Sequence, residues 1–232
     1  MAVWPAAILF DFDGVIVNSE PLHFQAFHEV LKDEGVELTE TEYYQDLLGF
    51  DDRGAVVHLF EKRGLPLEPK VRLRILGRKT RAMQALIQRR SIKPLPGVEQ
   101  LVRGLWRQHR LAICSGALGD EIDTLLQAIS LRDCFSVIVS ADDVTQGKPH
   151  PEGYLLAAKL LGEQAHRPIA PKDCLIIEDA PQVIEAVKHV GFKTLGVAGS
   201  VSAARLAHAD WVVSSLNPAE VGRVIPALRV DA

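Results

Sequence analysis

Cysteine is scarce in this chain, and no stretch of it is apolar enough to cross a membrane. The 232 residues include three cysteines, Cys114, Cys134 and Cys174. They are odd in number and widely separated, which fits neither a disulfide framework nor a zinc site. No apolar run approaches the roughly 18 residues that a membrane span needs. The first residues also lack the features of a secretory signal, so we expect a cytoplasmic protein without membrane association.

The chain also lacks an excess of positive charge. It contains 26 Lys and Arg against 30 Asp and Glu, which gives a formal net charge of -4. A general nucleic-acid-binding protein normally shows a basic surface, so we expect no nucleic-acid partner. Hydrophobic residues make up 47% and charged residues 24% of the chain. This composition is ordinary for a globular protein that buries a sizeable core.

Short apolar runs alternate with segments of helical periodicity in the second part of the chain. The runs lie at residues 111–114, 137–139, 174–177, 194–197 and 211–213. Such alternation is typical of a parallel sheet wrapped by helices. A further run at residues 6–10 is apolar without alternation, as in a strand that is buried on both faces. The sequence therefore predicts an α/β fold with a Rossmann-like parallel sheet core flanked by helices.

Only helical patterns occur between the first predicted strand and residue 93. Asn18, Ser19 and Glu20 supply a capping side chain and an early acid for a first helix. Further helical stretches are predicted at residues 39–48, 51–63 and 68–90. The first strand has no partner nearby, so it must join the later strands. We therefore predict a core domain of residues 1–18 and 93–232, with a small helical domain of residues 19–92 inserted after strand 1.

Carboxylates follow the first and the fourth predicted strands. Asp11 and Asp13 come after the first strand, and Glu178 and Asp179 come after the run at 174–177. The first pair alone could equally be solvated acids. In open α/β sheets, however, ligands bind beyond the carboxyl ends of the strands, where the two pairs would meet and repel each other without a cation. Carboxylates without a His or Cys cluster favour Mg²⁺ over zinc. We therefore expect a Mg²⁺ site.

Polar groups suited to an anion follow two other predicted strands. Ser115 and Gly116 can offer a hydroxyl and a backbone N–H, although an ordinary turn would look the same. Lys148 lies directly before Pro149 and close to Pro151, which stiffen the backbone on one side of it. A solvated surface lysine is the alternative. An ammonium fixed in this way suits the binding of a phosphoryl group or the neutralisation of an acidic nucleophile.

Four motifs, in this order along the chain, resemble the haloacid dehalogenase superfamily. They are DFDGVIVNSE, ICSG, GKPHPE and IIEDAP, and the resemblance covers nearly the whole chain. The similarity is to the branch of capped phosphatases and β-phosphoglucomutase-like proteins, which implies that the inserted helices form a cap over the core. It further implies a Mg²⁺-dependent phosphatase that hydrolyses small phosphomonoesters, such as sugar or polyol phosphates, through an aspartyl-phosphate.

The resemblance implies roles for the first acidic pair. Asp11 matches the nucleophile that becomes the aspartyl-phosphate. Asp13 matches the general acid/base, which also ligates the metal through its carbonyl oxygen. A general acid must carry a proton in the first half-reaction. Because carboxylates crowd at this site, we expect the pKa of Asp13 to be raised.

The resemblance also implies roles for the later motifs. Ser115 and Lys148 match phosphate-binding positions, and Lys148 also lies close to the nucleophile. Asp179 matches a direct magnesium ligand. Glu178 matches a metal-site residue that acts directly or through water.

Residues of the predicted cap resemble positions that govern substrate specificity. Gly49, in the loop at residues 48–53, would permit close backbone approach. Arg53 could pair with a second phosphate or a carboxylate of the substrate, although a solvated arginine at a helix start fits equally. His23 matches a histidine that helps to gate the general acid, although a half-buried surface histidine is the alternative. The mutases carry a lysine directly before the loop glycine, where this chain has Leu48, and this favours a phosphatase.

Two other functions remain open from the sequence. One is a phosphomutase of the β-phosphoglucomutase type. The other is a non-catalytic binding or regulatory protein, since a fold does not fix a function. The presence of both Asp11 and Lys148 disfavours the latter. The expected partner is a small phosphorylated metabolite, and we expect a monomer or a weak dimer.

Overall fold

A six-stranded sheet forms the centre of the protein. The computed structural model describes residues 4–89 and 92–230. The strands are β1 Ala7–Phe10, β2 Arg110–Cys114, β3 Val137–Val139, β4 Cys174–Glu178, β5 Lys193–Val197 and β6 Trp211–Val213. Their order is β3-β2-β1-β4-β5-β6, and every neighbouring pair is parallel. The prediction of an α/β fold with a parallel sheet is confirmed.

Helices flank the sheet and fill the segment between β1 and β2. They are α1 Glu20–Asp33, α2 Glu40–Glu42, α3 Asp52–Lys62, α4 Pro69–Arg89, α5 Val98–Trp106, α6 Gly119–Ala128, α7 Glu152–Gln164, α8 Pro181–His189 and α9 Pro218–Val224. The sequence does not predict α9, whose seven residues are too few for a clear period. Within the described ranges, no helix is long and apolar enough to span a membrane.

β1 is buried on both faces of the sheet. Ile8 and Phe10 belong to an apolar cluster that includes residues of α5 and α6. Ala7 and Leu9, which point the other way, belong to a second cluster with residues of α7 and α8. Alternate residues of β1 therefore contact different helical layers. This explains why the run is apolar without alternation.

Helices α1, α3 and α4 share an apolar cluster of their own. It includes Phe27 and Leu31 of α1, Leu59 of α3 and Ile75 of α4. We call residues 20–89, which contain these helices, the helical segment. Its second predicted helix differs from the expectation, because α2 ends after three residues and continues as a π-helical turn over Tyr43–Leu47.

The two connections between the sheet and the helical segment run side by side. Val17 forms an antiparallel bridge with Pro94, and the Leu95 N–H donates to the Ile16 carbonyl at 2.9 Å. The helical segment therefore leaves and rejoins the core near the carboxyl end of β1. The division into domains 1–18 with 93–232 and 19–92 stays a prediction, and residues 90 and 91 lie outside the described part of the chain.

Candidate active site

Asp11 is the first residue after β1, at the point where the strand order of the sheet reverses. β1 lies between β2 and β4, and Phe10 is level with Ile113 on one side and Ile177 on the other. The residues that follow these three strands therefore emerge together at one edge of the sheet. In open α/β sheets this is the place where ligands bind.

Lys148 joins the acids of two neighbouring strands. Its Nζ donates to Asp11 Oδ1 at 2.6 Å and to Glu178 Oε1 at 2.8 Å, and it lies 5.1 Å from the centre of the Tyr154 ring. Burial alone would lower the pKa of Lys148, but the two carboxylates hold that pKa well above its usual value. The lysine is therefore a buried, fixed ammonium beside Asp11.

Three buried carboxylates could hold a metal ion. Oxygens of Asp11, Glu178 and Asp179 lie within 4.8 Å of one another. Burial, followed by repulsion from Glu178, raises the pKa of Asp11 and of Asp179 well above the usual aspartate value. The single ammonium of Lys148 therefore does not balance the negative charge of the three carboxylates. A bound hard cation would supply the missing positive charge. A set of donors made only of carboxylates is the kind that Mg²⁺ prefers.

The oxygens of the second acidic pair are engaged to different degrees. Glu178 Oε2 accepts the backbone N–H groups of Asp179 and Ala180, both at 2.7 Å. Glu178 Oε1 accepts from Tyr154 at 3.3 Å, besides the ammonium described above. Asp179 Oδ2 accepts from Ser200 Oγ at 2.6 Å. Among the described residues no hydrogen bond reaches Asp179 Oδ1, so this oxygen is the more available ligand.

Asp13 lies among hydrogen-bond donors. Its carboxylate accepts from Ser19 Oγ and, at 3.1 Å, from Ser115 Oγ, and it lies 3.4 Å from His23 Nε2. Burial raises the pKa of Asp13, but the charge of the nearby His23 and the two hydroxyls lower it to about 2. The expectation of a raised pKa is therefore wrong. His23, Ser19 and Ser115 together outweigh the effect of burial.

His23 lies between two carboxylates and a lysine. Its Nε2 faces Asp13 and lies 3.6 Å from Glu121 Oε1, and its Nδ1 lies 2.8 Å from Lys79 Nζ. Burial and Lys79 lower the pKa of His23, but the carboxylates, Asp13 first, raise it to about 9. A hydrogen bond between two nitrogens needs one of them to accept, so His23 and Lys79 cannot both be fully protonated. The protons belong to the cluster rather than to one side chain.

A small cavity separates the core from the helical segment. It encloses about 40 Å³, which is room for a few water molecules. Its charged lining comprises Asp11, Asp13, Glu20, His23, Asp52 and Lys148. Its apolar lining includes Phe27, Leu47, Phe50 and Ala117. A substrate larger than a few waters therefore requires that the helical segment move away from the core.

The loop before α3 rests on the core. Leu48 is buried against Ile184 and Leu206, and its carbonyl accepts from Gln182 Nε2. Gly49 has φ +86°, and a Cβ atom there would lie 2.6 Å from Ala180 Cβ. The close approach predicted for Gly49 is thus an approach to the core, directly after the second acidic pair.

The remaining predicted substrate-binding residues lie in different places. Gly116 lines the cavity beside the first acidic pair. Arg53 does not line it: the guanidinium donates to the Ala141 carbonyl at 2.8 Å and lies 4.0 Å from Asp142. About half of the Arg53 side chain is exposed. A contact between Arg53 and substrate stays a prediction.

Several residues in the cavity wall or directly behind it were not predicted from the sequence. Tyr43 donates its hydroxyl to Glu20 Oε2 at 2.6 Å, and Lys79 contacts Asp52 Oδ1 at 2.7 Å. Asp52 lies in the loop at residues 48–53, so its charge could have marked it as a site residue. Lys79 is one of several basic residues of α4, and nothing in the sequence marks it as the buried one.

Comparisons with known proteins agree with this geometry. A family model described as haloacid dehalogenase-like hydrolase matches residues 8–197. A phosphorylated carbohydrates phosphatase of Thermotoga maritima is 27% identical over 94% of this chain and 97% of its own. The fructose-1-phosphate phosphatase YqaB of Escherichia coli is 30% identical over 83% and 96%. The crystal structure of β-phosphoglucomutase from Clostridium difficile shares the fold, with a TM-score of 0.82, 24% identity and 96% of each chain covered.

Proposed function

This chain belongs to the haloacid dehalogenase-like hydrolases, and we propose that it is a Mg²⁺-dependent phosphatase of small phosphomonoesters, such as sugar or polyol phosphates. The proposed reaction passes through an aspartyl-phosphate on Asp11. The observation that carries the proposal is the arrangement of the buried Asp11 and Lys148 and the partly buried Asp13 around one cavity. The relatives that act on phosphorylated sugars support the same class of substrate.

In the first half-reaction, a carboxylate oxygen of Asp11 attacks phosphorus and the ester P–O bond breaks. Asp11 Oδ1 accepts from Lys148 and, at 2.6 Å, from the Phe12 N–H. These bonds fix the carboxylate, and Oδ2 receives no hydrogen bond from the described residues. Lys148 also supplies positive charge to the phosphoryl oxygens, where stabilisation matters most. Ser115 and Gly116 complete the phosphoryl site.

Asp13 protonates the leaving oxygen in this proposal. Because its pKa is lowered to about 2, Asp13 is ionised at neutral pH and must first gain a proton. The like charge of a bound phosphate ester would raise the pKa of Asp13 and let it take that proton from solvent or from His23 Nε2, which lies 3.4 Å away. In the second half-reaction Asp13 takes a proton from water, the water oxygen attacks phosphorus, and the bond to Asp11 breaks.

Mg²⁺ would be held by side-chain oxygens of Asp11 and Asp179 and by the backbone carbonyl of Asp13. Glu178 would contribute through water, because both of its carboxylate oxygens already accept hydrogen bonds. When bound, the ion would neutralise charge on the phosphoryl oxygens. Ser200 holds one oxygen of Asp179 and leaves the other available.

A phosphomutase is the alternative, and the contact of His23 with Asp13 is the observation that favours it. Leu48, however, is buried in an apolar cluster where a mutase carries its lysine. Conversion of β-glucose 1-phosphate to glucose 6-phosphate without net phosphate release would support the mutase.

Phosphate release from a panel of sugar and polyol phosphates, with and without Mg²⁺, tests the proposal. We expect Mg²⁺-dependent release that Asp11→Asn abolishes. Asp133→Asn changes an exposed aspartate and should leave the rate unchanged. Absence of release from every ester, or an active Asp11→Asn variant, would contradict the proposal.

A further inference from the structure

Two carboxylates line the cavity on the side of the helical segment. Glu20 is the first residue of α1 and Asp52 is the first residue of α3. Both border the same cavity as Asp11 and Lys148. A substrate whose phosphoryl group lies at Asp11 would therefore present its leaving group to Glu20 and Asp52.

The lysines near the cavity are already paired with other groups of the site. Lys148 binds Asp11 and Glu178 at the phosphoryl end. Lys79 is only 1% exposed, lies 5.3 Å from the centre of the Phe27 ring, and does not line the cavity. Its Nζ contacts Asp52 Oδ1 at 2.7 Å and His23 Nδ1 at 2.8 Å.

No other lysine or arginine of the described ranges lines the cavity, and His23, which does, faces Asp13 and Glu121. Arg53, at the start of α3, instead binds the Ala141 carbonyl. A second phosphate or a carboxylate on the leaving group would therefore approach Glu20 and Asp52 without an unpaired lysine or arginine beside it. Like charges at such distances in a partly dry site repel each other strongly.

Hydroxyl or ammonium groups would find acceptors in the same place. Glu20 uses Oε2 for the Tyr43 hydroxyl, and no described residue donates to its Oε1. Asp52 contacts Lys79 through Oδ1. Each acid can thus accept one more hydrogen bond, and accepting from an ammonium would also balance its charge.

We propose that Glu20 and Asp52 select phosphomonoesters of neutral or cationic polyols and sugars, amino sugars included, against bisphosphates and phosphorylated acids. The inference rests on the proposed phosphatase activity. It makes both residues determinants of specificity, and it separates this chain from an enzyme that must bind a second phosphate.

Matched pairs of substrates test the inference, with kcat/KM measured at saturating Mg²⁺. Sorbitol 6-phosphate and 6-phosphogluconate differ in one terminal carboxylate, and fructose 6-phosphate and fructose 1,6-bisphosphate differ in one phosphate. We expect kcat/KM to be at least about 100-fold higher for the member of each pair that lacks the additional anionic group. This figure takes roughly tenfold for each of the two repelling carboxylates. Glucosamine 6-phosphate should be hydrolysed at least as well as glucose 6-phosphate.

Variants assign this preference to the two acids. Glu20→Gln and Asp52→Asn keep an acceptor oxygen and remove the charge, so each should reduce the preference about tenfold. Glu29→Gln removes an exposed carboxylate of the same helix α1 and should leave the preference unchanged.

Preferences near one in the parent enzyme, or preferences that survive in both variants, would overturn the inference while the phosphatase assignment stands. Absence of hydrolysis of all six esters would overturn the proposed function and this inference with it.

Discussion

Replacement of Lys148 by methionine should destabilise the protein strongly. Methionine has a similar length and no charge, so Lys148→Met removes the ammonium from Asp11 and Glu178 without leaving a large cavity. Both partners are buried, at 6% and 0% exposure, and each loses a charged hydrogen bond of 2.6 or 2.8 Å. Removal of one partner from a buried ion pair typically costs about 3–5 kcal/mol.

The expected loss corresponds to a fall in Tm of about 6–20 °C for a chain of this length. Urea unfolding followed by the fluorescence of the three tryptophans measures the loss in free energy directly. Lys159→Met is the matched control, because Lys159 is 69% exposed and makes a single surface pair with Glu163 at 3.8 Å. Such a pair contributes about 0–1 kcal/mol.

Mg²⁺ adds a second readout to the same experiment. If the acids at the end of β1 and β4 bind the ion, millimolar Mg²⁺ should raise the Tm of Lys148→Met more than that of the parent protein, because the variant has lost its own cation. A Lys148→Met protein that unfolds within about 1 kcal/mol of Lys159→Met would refute the reasoning.

Three further predictions concern other contacts. Asp210→Asn should lower the free energy of unfolding by about 1 kcal/mol, because the hydrogen bonds that Asp210 accepts hold its pKa below the usual range although burial raises it. In urea titrations this loss should be full at pH 7 and should vanish as the pH falls below about 4, where the carboxylate becomes protonated. Gly49→Ala should lower kcat/KM and stability more than Gly35→Ala, which has a similar positive φ but nothing within 4 Å of the added Cβ; equal losses would contradict the contact. Ser200→Ala should raise the Mg²⁺ concentration for half-maximal thermal stabilisation about tenfold, because Asp179 loses the hydroxyl that orients it; an unchanged concentration would contradict that role.

Most of the fold could be predicted from local patterns. Each strand is a short apolar run, and burial on both faces of a parallel sheet makes such runs conspicuous. The order of the strands could not be predicted in this way. It depends on the crossover that each helix makes, and a crossover leaves no local pattern in the sequence. Helix α9 was missed because its seven residues are too few for a clear period. The π-helical form of Tyr43–Leu47 was missed because a turn of five residues looks like ordinary helix in the sequence.

The core side of the site was more accessible to prediction than the side formed by the helical segment. Asp11 follows one recognisable strand and Glu178 ends another, so their meeting could be inferred from the fold class alone. Lys79 reaches the site only because α4 packs on α1, and one buried residue of a basic helix has no distinguishing signal. His23, in the first turn of α1, also faces Asp13, and it reverses the expected direction of the Asp13 pKa shift.

Trapping of the covalent intermediate tests the central claim most directly. Protein turning over a phosphomonoester with Mg²⁺ is quenched with borohydride, which reduces an aspartyl-phosphate to homoserine, and the modified residue is located by peptide mass spectrometry. The proposed mechanism predicts homoserine at Asp11, in the parent protein and in Asp133→Asn. Phosphate release with Asp11 unmodified, or homoserine at Asp13 instead, would contradict it.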